Sequence, residues 1–161
     1  MSDRVAVMDR GRLLQVGAPR EIYDAPASLF VAEFVGLSNR LDGRIAGVEG
    51  ARCRIEAPGL PAIQARVPVN AGSGNAVSVV LRPERLHLSQ QAAANGFDNV
   101  VPARVAKAVY NGHEMQYQLH VADGLLWTVR VPNADGGQKQ FLPGEAVMVR
   151  WQCDDSVVLV R

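Results

Sequence analysis

The sequence predicts a mainly β protein: two similar five-stranded halves preceded by a short α/β segment. Three observations carry this. After Ser38, apolar residues recur at every second position through most of the chain. Loops rich in Gly, Asn and Asp separate those runs, and three short blocks of sequence occur twice in the same order. Period-two alternation gives each strand one wet and one dry face, which leads to antiparallel sheets around a shared core.

Residues 1–37 read differently. Val5 to Asp9 is a short apolar strand, Arg10-Gly11-Arg12 a turn, and Leu13 to Val16 a returning strand, so a hairpin opens the chain. Gly17 breaks it. Pro19 suits the first turn of a helix, where its missing N–H costs nothing, and Arg20 to Tyr23 continue that turn. Pro26 opens a second helix whose Leu29, Phe30, Phe34 and Val35 form an apolar stripe ending at Gly36. Two short strands and two short helices are too little to close a core. Leu29, Phe30 and Phe34 therefore need cover, expected from the β part, a parent domain or a second chain.

Beyond Ser38 the strands follow in turn. Cys53, Ile55 and Ala57 alternate with Arg52, Arg54 and Glu56; Ile63, Ala65 and Val67 with Gln64 and Arg66. Met115, Tyr117, Leu119 and Val121 alternate with Gln116, Gln118 and His120. Trp127, Val129 and Val131, then Val147, Val149 and Trp151, repeat the pattern. The connecting loops are Asn70 to Asn75, Asn111-Gly112, Asp123-Gly124 and Asn133 to Gly137. The repeat matches Gly43-Arg44-Ile45-Ala46 to Ala103-Arg104-Val105-Ala106, Arg66-Val67-Pro68 to Arg130-Val131-Pro132, and Val77–Leu81 to Val147–Trp151. Offsets of 60, 64 and 70 place slightly longer loops in the second copy. The halves span about 41–90 and 99–161, joined by a polar linker from Ser89 to Asn99. A five-stranded half with a wet outer face implies an OB-like small barrel.

Composition bounds the function. The 161 residues are 48% apolar, enough for a core, and 20% charged. A net charge of +1 supplies no bulk field for nucleic acid or anionic membrane. No apolar run approaches the ~20 residues of a membrane span, and Met1–Arg10 lacks the grammar of a signal peptide. The two cysteines, one hundred positions apart, suit a reducing compartment and buried thiols.

The N-terminal run carries a resemblance. Ser2-Asp3-Arg4-Val5-Ala6-Val7-Met8, Gly11-Arg12, Gln15-Val16-Gly17, Pro19, Glu21-Ile22-Tyr23, Pro26 and Phe30-Val31-Ala32-Glu33-Phe34-Val35-Gly36 resemble the end of an ABC-importer ATPase domain. Leu81-Arg82-Pro83-Glu84 is similar to the hallmark of the TOBE accessory domain in maltose, polyamine and ferric-iron importer ATPases. The resemblance implies that residues 1–37 are a remnant of the ATPase domain. It implies that residues 38–161 are a TOBE-type regulatory β domain whose intertwined OB-like halves help to pair two ATPase subunits. The partners so implied are a second copy of the subunit and, through the ATPase domain, the transporter's membrane subunits; a small-molecule effector is a further partner. The setting is cytoplasmic, peripheral at the inner face of the bacterial plasma membrane. Polyamine- or iron-type members look most similar around Tyr110-Asn111-Gly112. ATP and magnesium belong to the ATPase core only. The chain contains no GxxxxGK[ST] loop, no LSGGQ-like signature and no apolar strand ending in Asp-Glu, and the switch histidine is expected upstream of Ser2. We therefore expect no catalytic, cofactor or metal site and no enzymatic activity in this chain.

Single residues leave few candidates. Pro83 ends its strand and holds Arg82 extended. Arg82 and Glu84 share strand parity, so they either pair as a strand-exit brace or reach another domain or signal. Asn111, Gly112 and His113 form a hairpin turn that is a candidate interface; no second His follows at ligand spacing. Cys53 has dry-face parity. Trp127 and Trp151 lie in phase with aliphatic neighbours, which favours core packing over base stacking. Two alternatives to the accessory-domain reading are an OB-like sensor of oxyanions or other small solutes and an OB-like binder of single-stranded nucleic acid. Aromatic residues at 6% weigh against the second, and no nucleic-acid partner is expected.

Overall fold

The computed structural model describes residues 3–91, 93, 96–122, 124–133 and 140–161. Of the sequence-derived loops, residue 123 and residues 134–137 lie outside the described residues. The opening hairpin pairs β1 (Val5–Asp9) with β2 (Arg12–Gly17) across a two-residue turn. Arg10 and Gly11 there have φ of 47° and 77°, the left-handed pair that matches the twist of a tight hairpin. Gly17 ends β2 rather than interrupting the chain before it. The first helix, α1 (Pro19–Asp24), carries Pro at its start. The second, α2 (Leu29–Phe34), begins three residues after Pro26, because the Ser28 hydroxyl accepts the Val31 N–H at 3.3 Å and caps it.

The face that α2 buries differs from the expected stripe. Val31 and Ala32 are fully buried, Val31 with Val7 and Ile22 in a small satellite core. Leu29 is half-buried, and Phe30 and Phe34 are 40% and 67% exposed, their rings stacked 5.8 Å apart. None of the three belongs to the core of the β part. Four residues apart, the two rings lie against each other on one side of the helix.

Ten strands follow: β3 (Asn39–Glu49), β4 (Arg52–Glu56), β5 (Ile63–Arg66), β6 (Ala76–Leu81), β7 (His87–Ser89), β8 (Asn99–Tyr110), β9 (Glu114–Ala122), β10 (Leu125–Pro132), β11 (Ala146–Trp151) and β12 (Ser156–Val160). They form two five-stranded antiparallel sheets, ordered β12-β6-β3-β4-β5 and β10-β9-β8-β11-β7. Neither sheet comes from one half of the chain. β12, the last strand, pairs with β6 over Ser156–Val160, while β7 crosses to β11 through Met148 to Arg150. Each half thus lends its final strand to the other. The strand before each exchanged one ends in a 3-10 turn, Pro83–Arg85 in the first half and Cys153–Asp155 in the second.

The dry faces are those the alternation indicates. Cys53, Ile55, Ile63, Ala65, Tyr117, Leu119, Trp127, Val129, Val147, Val149 and Trp151 are buried in one core continuous across both sheets. Trp127 and Trp151 meet edge to face at 5.7 Å, and the Trp151 Nε1–H donates to Ser156 Oγ at 3.0 Å. Each large apolar side chain buried there contributes roughly 1.5–3 kcal/mol.

Two buried asparagines join the sheets. Asn39, first residue of β3, donates from Nδ2 to Thr128 O at 2.8 Å and accepts the Thr128 N–H at 2.6 Å. Asn99, first residue of β8, donates to Gln64 O at 2.9 Å and accepts the Gln64 N–H at 2.7 Å. Each amide thereby imitates one residue of a neighbouring strand and satisfies the backbone of an edge strand, β10 or β5, from the opposite sheet.

Candidate functional site

The joint between the N-terminal segment and the β part is built around Arg82. The strand β6 runs apolar to Leu81, and Pro83, which has no N–H to donate, then turns the chain into a 3-10 turn. Arg82, held extended, is directed under the helices and is 4% exposed. Its Nη1 donates to Ala32 O at 2.9 Å, Gly36 O at 3.2 Å and Leu37 O at 3.4 Å, the carbonyls at and beyond the C-terminal end of α2. Nη2 donates to Tyr23 O of α1 at 3.2 Å, and the guanidinium carbon lies 4.1 Å from the centre of the Tyr23 ring. One planar cation therefore gathers the ends of both helices, where orphan carbonyls and the helix dipole favour positive charge. Its Nε is buried without a hydrogen-bond partner among the described residues.

Glu84 completes the joint from the other side. Its Oε1 accepts the Tyr23 hydroxyl. Burial, and then the Glu84 hydrogen bond, push the Tyr23 phenol up to about 12. Arg82 and Glu84 thus do not pair with each other; they take the face and the hydroxyl of the same tyrosine. In the sequence Tyr23 figures only in the run that resembles the end of an ATPase domain, with no role of its own. Lesser ties run alongside: Arg85 to Asp24 at 4.0 Å, and Glu33 of α2 to Arg40 at 3.7 Å. Arg40 in turn grips Asp42, whose carboxyl also accepts Ser78 Oγ at 2.6 Å. The hydrogen bonds from Arg40 and Ser78 hold that carboxyl below its usual range.

Asn111, Gly112 and His113 sit away from the joint, at the β8–β9 turn. The Asn111 N–H donates to Glu114 O at 2.9 Å and the Asn133 N–H to His113 O at 2.8 Å. His113 is exposed, its Nε2 3.9 Å from Glu114. Glu114 in turn lies 3.4 Å from Arg130 Nε, an ion pair without an aligned hydrogen bond. Arg130 and Glu84 line one cleft of about 380 Å³ between β7 and β10, so a line of charge runs from the joint to the turn. Sequence reasoning gave Asn39, Asn99 and Arg130 no role in a site. The offset-60 block, extended four residues upstream, would have matched Asn39 to Asn99.

Among the described residues no group of three or more His, Cys, Asp or Glu is placed to hold a metal ion, and no helix is long and apolar enough to cross a membrane. Burial, with hydrogen bonds to Asp154 and Asp98, pushes the Cys153 thiol up to about 11, opposite to what a nucleophile needs.

Comparison with known proteins decides the family. A model described as the TOBE domain matches residues 79–159, which run from β6 through β12 and include Arg82-Pro83-Glu84. The chain belongs to the TOBE domain family. Among relatives of this TOBE chain, the spermidine/putrescine import ATP-binding protein PotA 1 of Pseudomonas aeruginosa is 37% identical over 160 residues, covering 99% of the chain and 42% of the relative. PotA of Rubrobacter xylanophilus is 39% identical over 161 residues, covering 99% and 41%. PotA of Thermotoga maritima is 28% identical, covering 99% and 44%. The chain therefore spans about two-fifths of the length of the curated relatives it matches. A solved structure of the cytoplasmic molybdate-binding protein ModG matches with a TM-score of 0.62 at 18% identity, over 76% of this chain and 96% of that one. That likeness supports the twin OB-like fold of the TOBE part.

Proposed function

We propose that the chain works as the non-catalytic accessory part of an ATP-binding subunit of an ABC solute importer, of polyamine or iron type. Residues 1–37 act as the connecting segment and residues 38–161 as the regulatory β domain. The chain acts by touching neighbours: an ATP-binding portion, a second copy of the subunit and, through the ATP-binding portion, membrane subunits at the cytoplasmic face. One observation carries the reading. The N-terminal segment is clamped to the barrels on one side by Arg82, Tyr23 and Glu84, while Met8, Leu13, Phe30, Phe34 and Leu37 remain exposed on its surface. A segment gripped on one side and carrying several large apolar side chains exposed elsewhere suits the connection of two bodies. ATP and magnesium would be held by the ATP-binding portion, and this chain brings no phosphate loop to them.

Reconstitution in trans tests the reading. This chain is mixed with the separately purified ATP-binding portion of a polyamine-importer ATP-binding subunit, and binding is followed by calorimetry. A complex with a dissociation constant of roughly micromolar order is expected, weakened at least about tenfold by Phe34→Asp. No complex, equal binding by the variant, or tight magnesium-dependent ATP binding by this chain alone would refute it.

A further inference from the structure

We propose that the cleft between β7 and β10 is a binding site for a small zwitterion with an aliphatic body, of the α-amino-acid class. The cleft exists because the second sheet does not close on itself. β7 and β10 are its two outer strands and have no ladder between them, so they face each other across an open seam. Its volume of about 380 Å³ falls within the 300–1,000 Å³ usual for small-molecule sites. Buried Leu86 and Phe141 line it together with half-buried Leu88 and Val131. These walls suit a short hydrocarbon chain.

The polar groups set the class of ligand. Glu84 from the 3-10 turn and Arg130 from β10 line the same cleft with opposite charge, yet do not pair with one another. Glu84 has Oε1 on the Tyr23 hydroxyl. The only charged partner of Arg130 among the described residues is Glu114, with no aligned hydrogen bond. A ligand carrying an ammonium and a carboxylate satisfies both at once, whereas a diamine meets the Arg130 cation unfavourably and a simple acid meets Glu84 likewise. In the charged cleft beside the second 3-10 turn, of about 290 Å³, two of the carboxylates are already engaged. There Asp154 already holds Arg66 in two hydrogen bonds, and Asp24 is bonded to Arg20.

Glu84 also serves the joint, through the Tyr23 hydroxyl on its Oε1. The site is contained in this chain and stands or falls without any importer.

The test is a nuclear magnetic resonance titration of the chain with four probes: leucine, leucinamide as the cation alone, 4-methylpentanoate as the anion alone, and spermidine. Leucine is expected to give saturable shifts at Leu88 and Val131 and to bind at least about tenfold more tightly than either singly charged probe. Glu84→Gln should reduce leucine to the affinity of 4-methylpentanoate, and Arg130→Gln to that of leucinamide. Leu88→Trp, which fills the cleft without altering a charge, should abolish the shifts while the Trp127 indole resonance stays in place as a check of folding. Absence of saturable shifts at millimolar leucine, equal affinity for the three small probes, or tighter binding of spermidine would overturn the assignment.

Discussion

Replacing Arg82 by Met keeps the length and apolar stem of the side chain and removes the planar cation. Four carbonyls lose their donor: Ala32, Gly36, Leu37 and Tyr23. A hydrogen bond to a charged group contributes about 1.5–3 kcal/mol net, and the cost rises when the stranded partner is buried. The Ala32 bond is buried, whereas the other three are part-buried and water can replace much of what they lose. Counting about 2 kcal/mol for Ala32 and about 1 kcal/mol for the rest gives roughly 3 kcal/mol. The loss is local, because Arg82 ties the helices to the barrels and not the barrels to each other. Hydrogen exchange read by mass spectrometry should show amides of α1 and α2 opening roughly 100-fold more often, with β8, β9 and β11 unchanged. Arg82→Lys should fall between, since an ammonium keeps the charge but cannot span both helix ends as the fork does. Unchanged protection over residues 19–37 in Arg82→Met would refute the reasoning, as would an equal loss across the barrels.

Asn39→Ala should cost about 2–4 kcal/mol, because it strands the backbone N–H and C=O of Thr128, and Asn99→Ala a similar amount at Gln64. Calorimetry should record a melting temperature lower by roughly 5–15 °C in each, and a loss under about 0.5 kcal/mol would mean that water replaces the amide. A spectroscopic pH titration should find one of the three tyrosines ionising near 12, a transition absent from Tyr23→Phe. Because the folded value lies above the ordinary phenol value of about 10, the contribution of that bond is complete below about pH 10 and fades as pH rises toward 12.

The sequence showed most of the β architecture because alternation is a local property. The runs Met115 to Val121 and Trp127 to Val131 needed only their neighbours to reveal which face is dry: Met115, Tyr117, Leu119, Val121, Trp127 and Val129 are buried and Val131 half-buried. Strand exchange was not legible in the same way. β7 is three residues long and β12 reads as a plain apolar run, so neither indicates which sheet it joins. The stripe on α2 misled for a physical reason: in a six-residue helix, periodicity does not say which side faces inward, and the buried side carries Val31, against Val7 and Ile22, and Ala32, whose carbonyl takes the Arg82 fork. Arg82 and Glu84 stood out in the sequence. Their common target, Tyr23, lies about sixty residues away and is found only in the fold.

The two halves also act as internal controls for each other. Devices that make a barrel occur in both copies: Asn39 and Asn99 clip the opposite edge strand, and Arg44 and Arg104 donate to the carbonyls of Gly74 and Gly144. Where the copies diverge, barrel-making cannot be the reason. Carrying the offset of 70 from Leu81 and Trp151 onward sets Arg82-Pro83-Glu84 against Gln152-Cys153-Asp154. The second copy turns inward: Gln152 Nε2 donates to Gly96 O at 3.0 Å, and Asp154 binds Arg66. The same position in the first copy turns outward, to α1 and α2. A 3-10 turn that closes well with Gln and Asp has no structural need of an almost fully buried guanidinium, whose desolvation is costly. The cost is offset by the carbonyls of α1 and α2 that it holds, so this buried guanidinium belongs to the joint with the helices and not to the closing of the barrel.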